Sequence, residues 1–148
     1  MEKMPKIASL MTALLLAACQ AGVFGAPQTT DNSGNSSNSS SSKWILVAGK
    51  VKGKPLNTKD GKITLIQEKD AFTGVSAINH YRVPVKIHDG RIEHTEPPTT
   101  TLMAGPAETM RLEKDYLDAI SVVKTLKHES DRLTISGDGI ELQFRPAP

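Results

Sequence analysis

The densest run of side chains capable of chemistry is Asn79-His80-Tyr81-Arg82, which sets an amide, an imidazole, a phenol and a guanidinium in consecutive positions. On a strand, alternation sends Asn79 and Tyr81 to one face and His80 and Arg82 to the other, so the four cannot converge on one ligand. Asn79 and Tyr81 are therefore the candidate binding pair. The plainer expectation is that Asn79 satisfies a loop backbone and Tyr81 packs at a core margin. The histidines His80, His88, His94 and His128 share no metal-ligand spacing, and no metal site is expected. Gly74-Val75-Ser76-Ala77-Ile78 approaches a nucleophile elbow but lacks its second glycine and falls inside a predicted strand. Glu108, Glu113, Asp115 and Asp118 alternate with Arg111 and Lys114, which reads as the solvated face of a helix and not as paired catalytic carboxylates. Met103 and Met110 read as core fillers. No catalytic residue and no cofactor is expected, and the chain reads as not an enzyme.

One residue remains. Cys19, the chain's single cysteine, ends the run Leu16-Ala17-Ala18-Cys19. Lys3 and Lys6 precede an apolar stretch from Ile7 to Leu16, which is too short to cross a bilayer but fits the core of a secretory signal. Leucine three before the cysteine and small residues between them match the signature at which a lipoprotein signal peptidase cuts, just ahead of an acylated cysteine. The competing expectation, cleavage further on near Gly25-Ala26, would discard Cys19. On the lipoprotein reading, residues 1–18 are the signal peptide and Cys19 carries the lipid. Two or three acyl chains would hold the protein at the membrane essentially permanently, because a single chain binds only marginally. Gln20 stands where an aspartate would retain the protein in the inner membrane, so the outer membrane is expected, with the domain facing the periplasm. With Cys19 acylated, disulfides, cysteine-ligated metals and thiol catalysis are excluded.

Residues 19–42 form a linker ending in Asn32-Ser33-Gly34-Asn35-Ser36-Ser37-Asn38-Ser39-Ser40-Ser41-Ser42. A stretch with so little apolar surface cannot offset the cost of ordering its backbone and is expected to be a disordered tether, with a typical span of about 25 Å. Residues 43–148 are left, a normal size for one domain. The charges nearly balance at 18 basic and 16 acidic residues, and no basic stripe is interleaved with aromatics, so nucleic acid is not an expected partner.

The elements follow from punctuation and period. Asp-Gly suits a two-residue hairpin turn. With Asp138-Gly139 at a tip, Ile135 faces Leu142 and Leu133 faces Phe144, while Ser136 faces Glu141 and Thr134 faces Gln143, a clean alternation of core and polar pairs. With Asp89-Gly90 at a tip, Ile87 faces Ile92, Lys86 faces Glu93, His88 faces Arg91 and Val85 faces His94. Asp60-Gly61 would oppose Lys59 to Lys62 and reads instead as a loop entering a strand from Ile63 to Gln67. Further strands are predicted at Trp44 to Ala48 and Phe72 to Val83. A helix opens at Gly105-Pro106 with proline at its first position, and carries the stripe Leu112, Tyr116, Ala119, Ile120 and Val123 before ending near Ser121 to Val123. The fold class expected is α+β, a curved antiparallel sheet, partly open and barrel-like, packed on one main helix.

The order Trp44, Ile63-Thr64-Leu65, Phe72-Thr73-Gly74, Ile78-Asn79-His80-Tyr81, Thr101-Leu102-Met103-Ala104-Gly105-Pro106, the helix with Glu113, Tyr116 and Leu117, then Leu133-Thr134-Ile135 and Leu142-Gln143-Phe144 resembles the META-domain (HslJ-like) family of bacterial lipoproteins. The resemblance covers residues 43 to 145. Many members read Gly-Cys-Asn where this chain has Ala77-Ile78-Asn79 and carry a second cysteine near Gly105; both cysteines are missing here. The resemblance implies a bacterial envelope domain linked to stress or antibiotic tolerance, without an established enzymatic activity. An envelope protein is the expected partner, beside the membrane that Cys19 would hold. The alternative is a periplasmic protein-binding or inhibitor module, for which the exposed stretch Glu96-Pro97-Pro98-Thr99-Thr100-Thr101 would be suited.

Overall fold

The computed structural model describes residues 41–148, and the expectations placed on residues 1–40, the signal peptide, the acylated Cys19 and most of the linker, lie outside the described residues. In chain order the elements are β1 (Lys43–Val51), β2 (Lys54–Pro55), β3 (Thr64–Gln67), β4 (Ala71–Val75), β5 (His80–His88), β6 (Arg91–His94), β7 (Thr99–Thr100), α1 (Ala107–Ile120), β8 (Thr125–Glu129), β9 (Arg132–Gly137) and β10 (Ile140–Pro146).

Both aspartate-glycine hairpins form in the register their flanks dictate. β5 and β6 pair Val85 with His94, Lys86 with Glu93, Ile87 with Ile92 and His88 with Arg91. Asp89 and Gly90 take φ of 50° and 75°, the left-handed pair that matches strand twist in a two-residue turn. β9 and β10 pair Ile135 with Leu142 and Leu133 with Phe144. There only Gly139, at φ 71°, is left-handed; Asp138 is not.

The sheet closes on itself. β1 pairs with β10 over seven residue pairs, which completes an eight-stranded ring of β1, β3, β4, β5, β6, β8, β9 and β10, with β2 hung on β1 and β7 on β5. The partly open sheet expected from the sequence is thus corrected to a closed barrel, which leaves the ring without a free edge. The pairing unites the two ends of the domain. β1 is also longer than the Trp44 to Ala48 segment expected, because a bulge lies between Leu46 and Ala48. The bulge places Val47 outside and shifts the alternation, so Trp44 and Leu46 face the core before it, and Gly49 and Val51 turn inward after it.

The expected strand from Phe72 to Val83 is two strands joined by a turn over Ser76 to Asn79, with Phe72 paired to Val83 and Gly74 to Tyr81. Ala77 sits at φ 93° in that turn, a conformation nothing in its residue type signals. Gly74 is needed for a different reason: a Cβ there would lie 2.1 Å from the Thr64 carbonyl oxygen.

The helix seals the barrel. Leu112, Tyr116, Ala119, Ile120 and Val123 are buried in one cluster with Phe72, Val83, Leu133, Ile135, Leu142 and Phe144 from the strands. Pro106 is the N-cap and not the first helical residue as expected, and its carbonyl accepts from the Met110 N–H. The methionines at the helix start are also not core fillers. Met103 is 50% exposed because the segment from Thr101 to Pro106 runs over the surface, and Met110, 36% exposed, lies on helix α1 outside its buried stripe.

Candidate functional site

The turn between β4 and β5 brings three backbone or side-chain donors to one point, and helix α1 delivers a carboxylate to it. Glu113, 5% exposed, accepts from the Ser76 hydroxyl at 2.8 Å, the Asn79 backbone N–H at 2.7 Å and the Ile78 N–H at 3.2 Å through Oε2. Its Oε1 accepts from the Asn79 side-chain amide at 2.6 Å. Burial pushes the Glu113 pKa up. The hydrogen bonds from Asn79, Ser76 and Ile78 together outweigh burial and hold the carboxyl below the usual glutamate range.

Asn79 is fully engaged in turn. Its amide nitrogen also donates to the Met103 carbonyl at 3.1 Å, and its Oδ1 accepts from the Met103 N–H at 2.7 Å and the Thr101 hydroxyl at 2.8 Å. An asparagine amide offers two donors and two acceptor positions, and all four are used. One side chain therefore joins the β4–β5 turn, the helix and the segment leading into the helix.

Tyr81 lies deeper, 3% exposed. Its hydroxyl donates to the Thr64 carbonyl at 2.9 Å, so the 2.7 Å contact with Tyr116 must have Tyr116 as donor. The rings meet edge to face at 5.5 Å. Burial pushes both phenols well above the usual tyrosine range; the hydrogen bond with Tyr116 partly opposes it at Tyr81, and the neighbouring Tyr81 adds to it at Tyr116.

The candidate pair Asn79 and Tyr81 thus occupies the same interior side, as alternation requires, with its polar atoms turned to other residues of the chain. His80 is exposed and Arg82 bridges Glu68 at 2.9 Å and Asp70 at 3.1 Å on the outside. Ser76 is fully buried in a turn between strands, which corrects its placement inside a strand, and its hydroxyl is committed to Glu113. Glu113 itself was expected on the solvated face and is the buried centre of the cluster. Its position was legible in helical spacing: it stands three before Tyr116 and seven before Ile120, on the buried stripe, and only its charge hid it.

The histidines stand apart. His94 Nε2 lies 2.9 Å from the Val123 carbonyl, and His128 meets Trp44 edge-on at 5.1 Å. Among the described residues no three His, Cys, Asp or Glu side chains are placed to share a metal ion.

A closed antiparallel barrel sealed by one helix, with a buried carboxylate tying the helix to a strand turn, defines a small α+β barrel domain. The chain belongs to the META domain family, whose model matches residues 38–148. Among solved structures it is similar to an NMR structure of a protein from Burkholderia xenovorans, at 21% identity and a TM-score of 0.58, covering 72% of this chain and 82% of that one. A second NMR structure aligns at 16% identity and a TM-score of 0.49, over 71% of this chain and 88% of that one. The first likeness speaks to the fold alone. A comparison with curated proteins gives no match.

Proposed function

We propose that this META domain is the non-catalytic, periplasm-facing part of an outer-membrane lipoprotein that supports envelope integrity under stress through contact with an envelope protein. The observation that carries the non-catalytic reading is the pairing of Asn79 with Glu113. The side chains with most chemical potential spend their lone pairs and protons on each other, whereas general acid–base or nucleophilic work needs a group free to meet substrate. Support for the anchor comes from Leu16-Ala17-Ala18-Cys19 and the polar linker that follows. Deleting the gene and challenging cells with heat, and separately with a hydrophobic antibiotic that the outer membrane excludes, tests the role. Lower survival restored by the wild-type gene is expected; unchanged survival in both would overturn it.

A second reading, a periplasmic protein-binding or inhibitor module, is favoured by the stretch from Glu96 to Thr101, which is exposed throughout although Thr99 and Thr100 are fixed to β5 as β7. Crosslinking and pull-down from membranes separates the two. One stoichiometric partner supports the module and a diffuse set supports the envelope role.

A further inference from the structure

A cleft of about 460 Å³ opens between the C-terminal half of helix α1 and the β1–β2 hairpin, within the size range of small-molecule sites. Its apolar floor is made by Val51, Leu56, Ala119, Val122 and Ile140, and Val122 is 55% exposed there. The rims carry opposite charges. Lys52 and Lys54 stand on the hairpin, and Asp115 and Asp118 stand one turn apart on the helix. The hairpin tip is fixed, since the Lys52 N–H donates to the Gly139 carbonyl at 2.7 Å and Lys52 holds a left-handed φ of 49°. Asp118 pairs with Lys114, while among the described residues Asp115 has no ion-pair partner, and neither do Lys52 and Lys54.

We propose that this cleft binds a short apolar peptide as its zwitterion, with the ammonium on Asp115 and Asp118, the carboxylate on Lys52 and Lys54, and the side chains on the floor. Charge complementarity selects this occupant. A fatty acid would leave the aspartates facing apolar surface, a cationic amphiphile would do the same to the lysines, and a polyanion would meet the aspartates as like charges. A single amino acid would cover only part of a floor built from five side chains. The site needs neither the lipid anchor nor the envelope role, so either can fail without the other.

Each of the five floor residues carries a methyl group, which makes methyl NMR the direct test. The full-length chain, methyl-labelled and held in detergent, is titrated with trileucine, its N-acetyl form and its C-terminal amide. Trileucine is expected to give saturable shifts at Val51, Leu56, Ala119, Val122 and Ile140 while Leu65 and Leu133 stay put. Each cap should weaken binding about two- to five-fold, the range of an exposed ion pair. Acetylation should cost nothing further in a variant with Asp115→Asn and Asp118→Asn, and amidation nothing further in one with Lys52→Asn and Lys54→Gln. The proposal is overturned if no saturable shift develops up to about 10 mM peptide, well past a millimolar Kd. It is equally overturned if capped peptides bind as well as free ones, or if capping weakens the variants as much as the wild type.

Discussion

Ile78 fills the space that a side chain on Gly105 would have to enter: a Cβ built on Gly105 would lie 2.2 Å from Ile78 Cδ1 and 3.2 Å from Cγ1. The family resemblance read from the sequence sets a cysteine at the first of these positions and a second one near Gly105. The larger apolar side chain and the absent one are therefore complementary, and their joint occurrence keeps the turn against the segment before the helix without a covalent link.

The first prediction follows from that contact. Replacing both residues, Ile78→Cys with Gly105→Cys, should give a disulfide under mild oxidation, because a Cβ on Gly105 already lies 3.2 Å from Ile78 Cγ1, the position that the sulfur of a cysteine at 78 can take. Closing this loop should stabilise the oxidised form by about 3 kcal/mol over the reduced one. Gly105→Val alone should destabilise, because the new side chain would overlap Ile78. Thermal unfolding of each variant with and without reductant checks all of this, and equal melting of the oxidised and reduced double variant would refute it.

Glu113 should be the most sensitive charged position in the described domain. Glu113→Ala leaves the Ile78 and Asn79 N–H groups, the Ser76 hydroxyl and one amide hydrogen of Asn79 without their acceptor, and should cost about 3 to 5 kcal/mol. Glu113→Gln keeps one acceptor but turns an amide donor toward another donor, and should cost about 1 to 3 kcal/mol. Urea unfolding at neutral pH measures both, with a lower midpoint and an unchanged slope expected.

The same carboxylate sets an acid dependence. Its pKa is lowered in the folded chain, so the unfolded state takes up the proton first as pH falls. Its stabilisation is therefore complete above the unfolded value of about 4.3 and is lost as pH falls through the folded value. The stability gap between wild type and Glu113→Gln should be full at pH 7 and shrink below about pH 4. A gap that stays constant through that range would show that the charge of Glu113 does not matter.

The two hairpins and the helix stripe were legible because their signals are local. Asp89-Gly90 and Asp138-Gly139 fix which residues face each other, and Leu112, Tyr116, Ala119 and Ile120 recur at helical spacing. Closure of the barrel was not, because Trp44 meets Pro146 across the whole domain and no local period marks the partner of a strand. The turn at Ser76 to Asn79 was hidden for another reason. It has no Asp-Gly or Pro, and its left-handed residue is Ala77, held there by contacts from Glu113 that arrive from a distant helix.

Cys19 makes a prediction that is independent of the barrel. If it carries the lipid, Cys19→Ser should abolish labelled palmitate incorporation and leave an uncleaved precursor or a soluble periplasmic form, with the domain still folded because none of its described core contacts involves the anchor. Gln20→Asp should keep a normally lipidated protein at the inner membrane. Membrane fractionation with labelled palmitate decides it. A wild-type chain that takes up no label, or a Cys19→Ser chain that still fractionates with the outer membrane, would remove the lipoprotein reading and leave an exported domain.

The tyrosine pair gives the last prediction. Tyr81 and Tyr116 are the only tyrosines in the chain, so absorbance of the phenolate near alkaline pH reports on this pair alone. Both pKa values are raised in the folded state, and the unfolded chain ionises near the ordinary value of about 10. Stability is therefore whole below about pH 10 and declines as pH rises beyond it, and phenolate should appear together with unfolding. The direction of the hydrogen bonds adds a second test. Tyr81→Phe strands both the Thr64 carbonyl and the Tyr116 hydroxyl and should cost about 2 to 4 kcal/mol, whereas Tyr116→Phe removes a donor whose acceptor still donates to Thr64, and should cost about 1 kcal/mol. Equal losses in the two variants, or a phenolate titrating near pH 10 in the folded chain, would contradict the arrangement in which Tyr116 donates to Tyr81 and Tyr81 to Thr64.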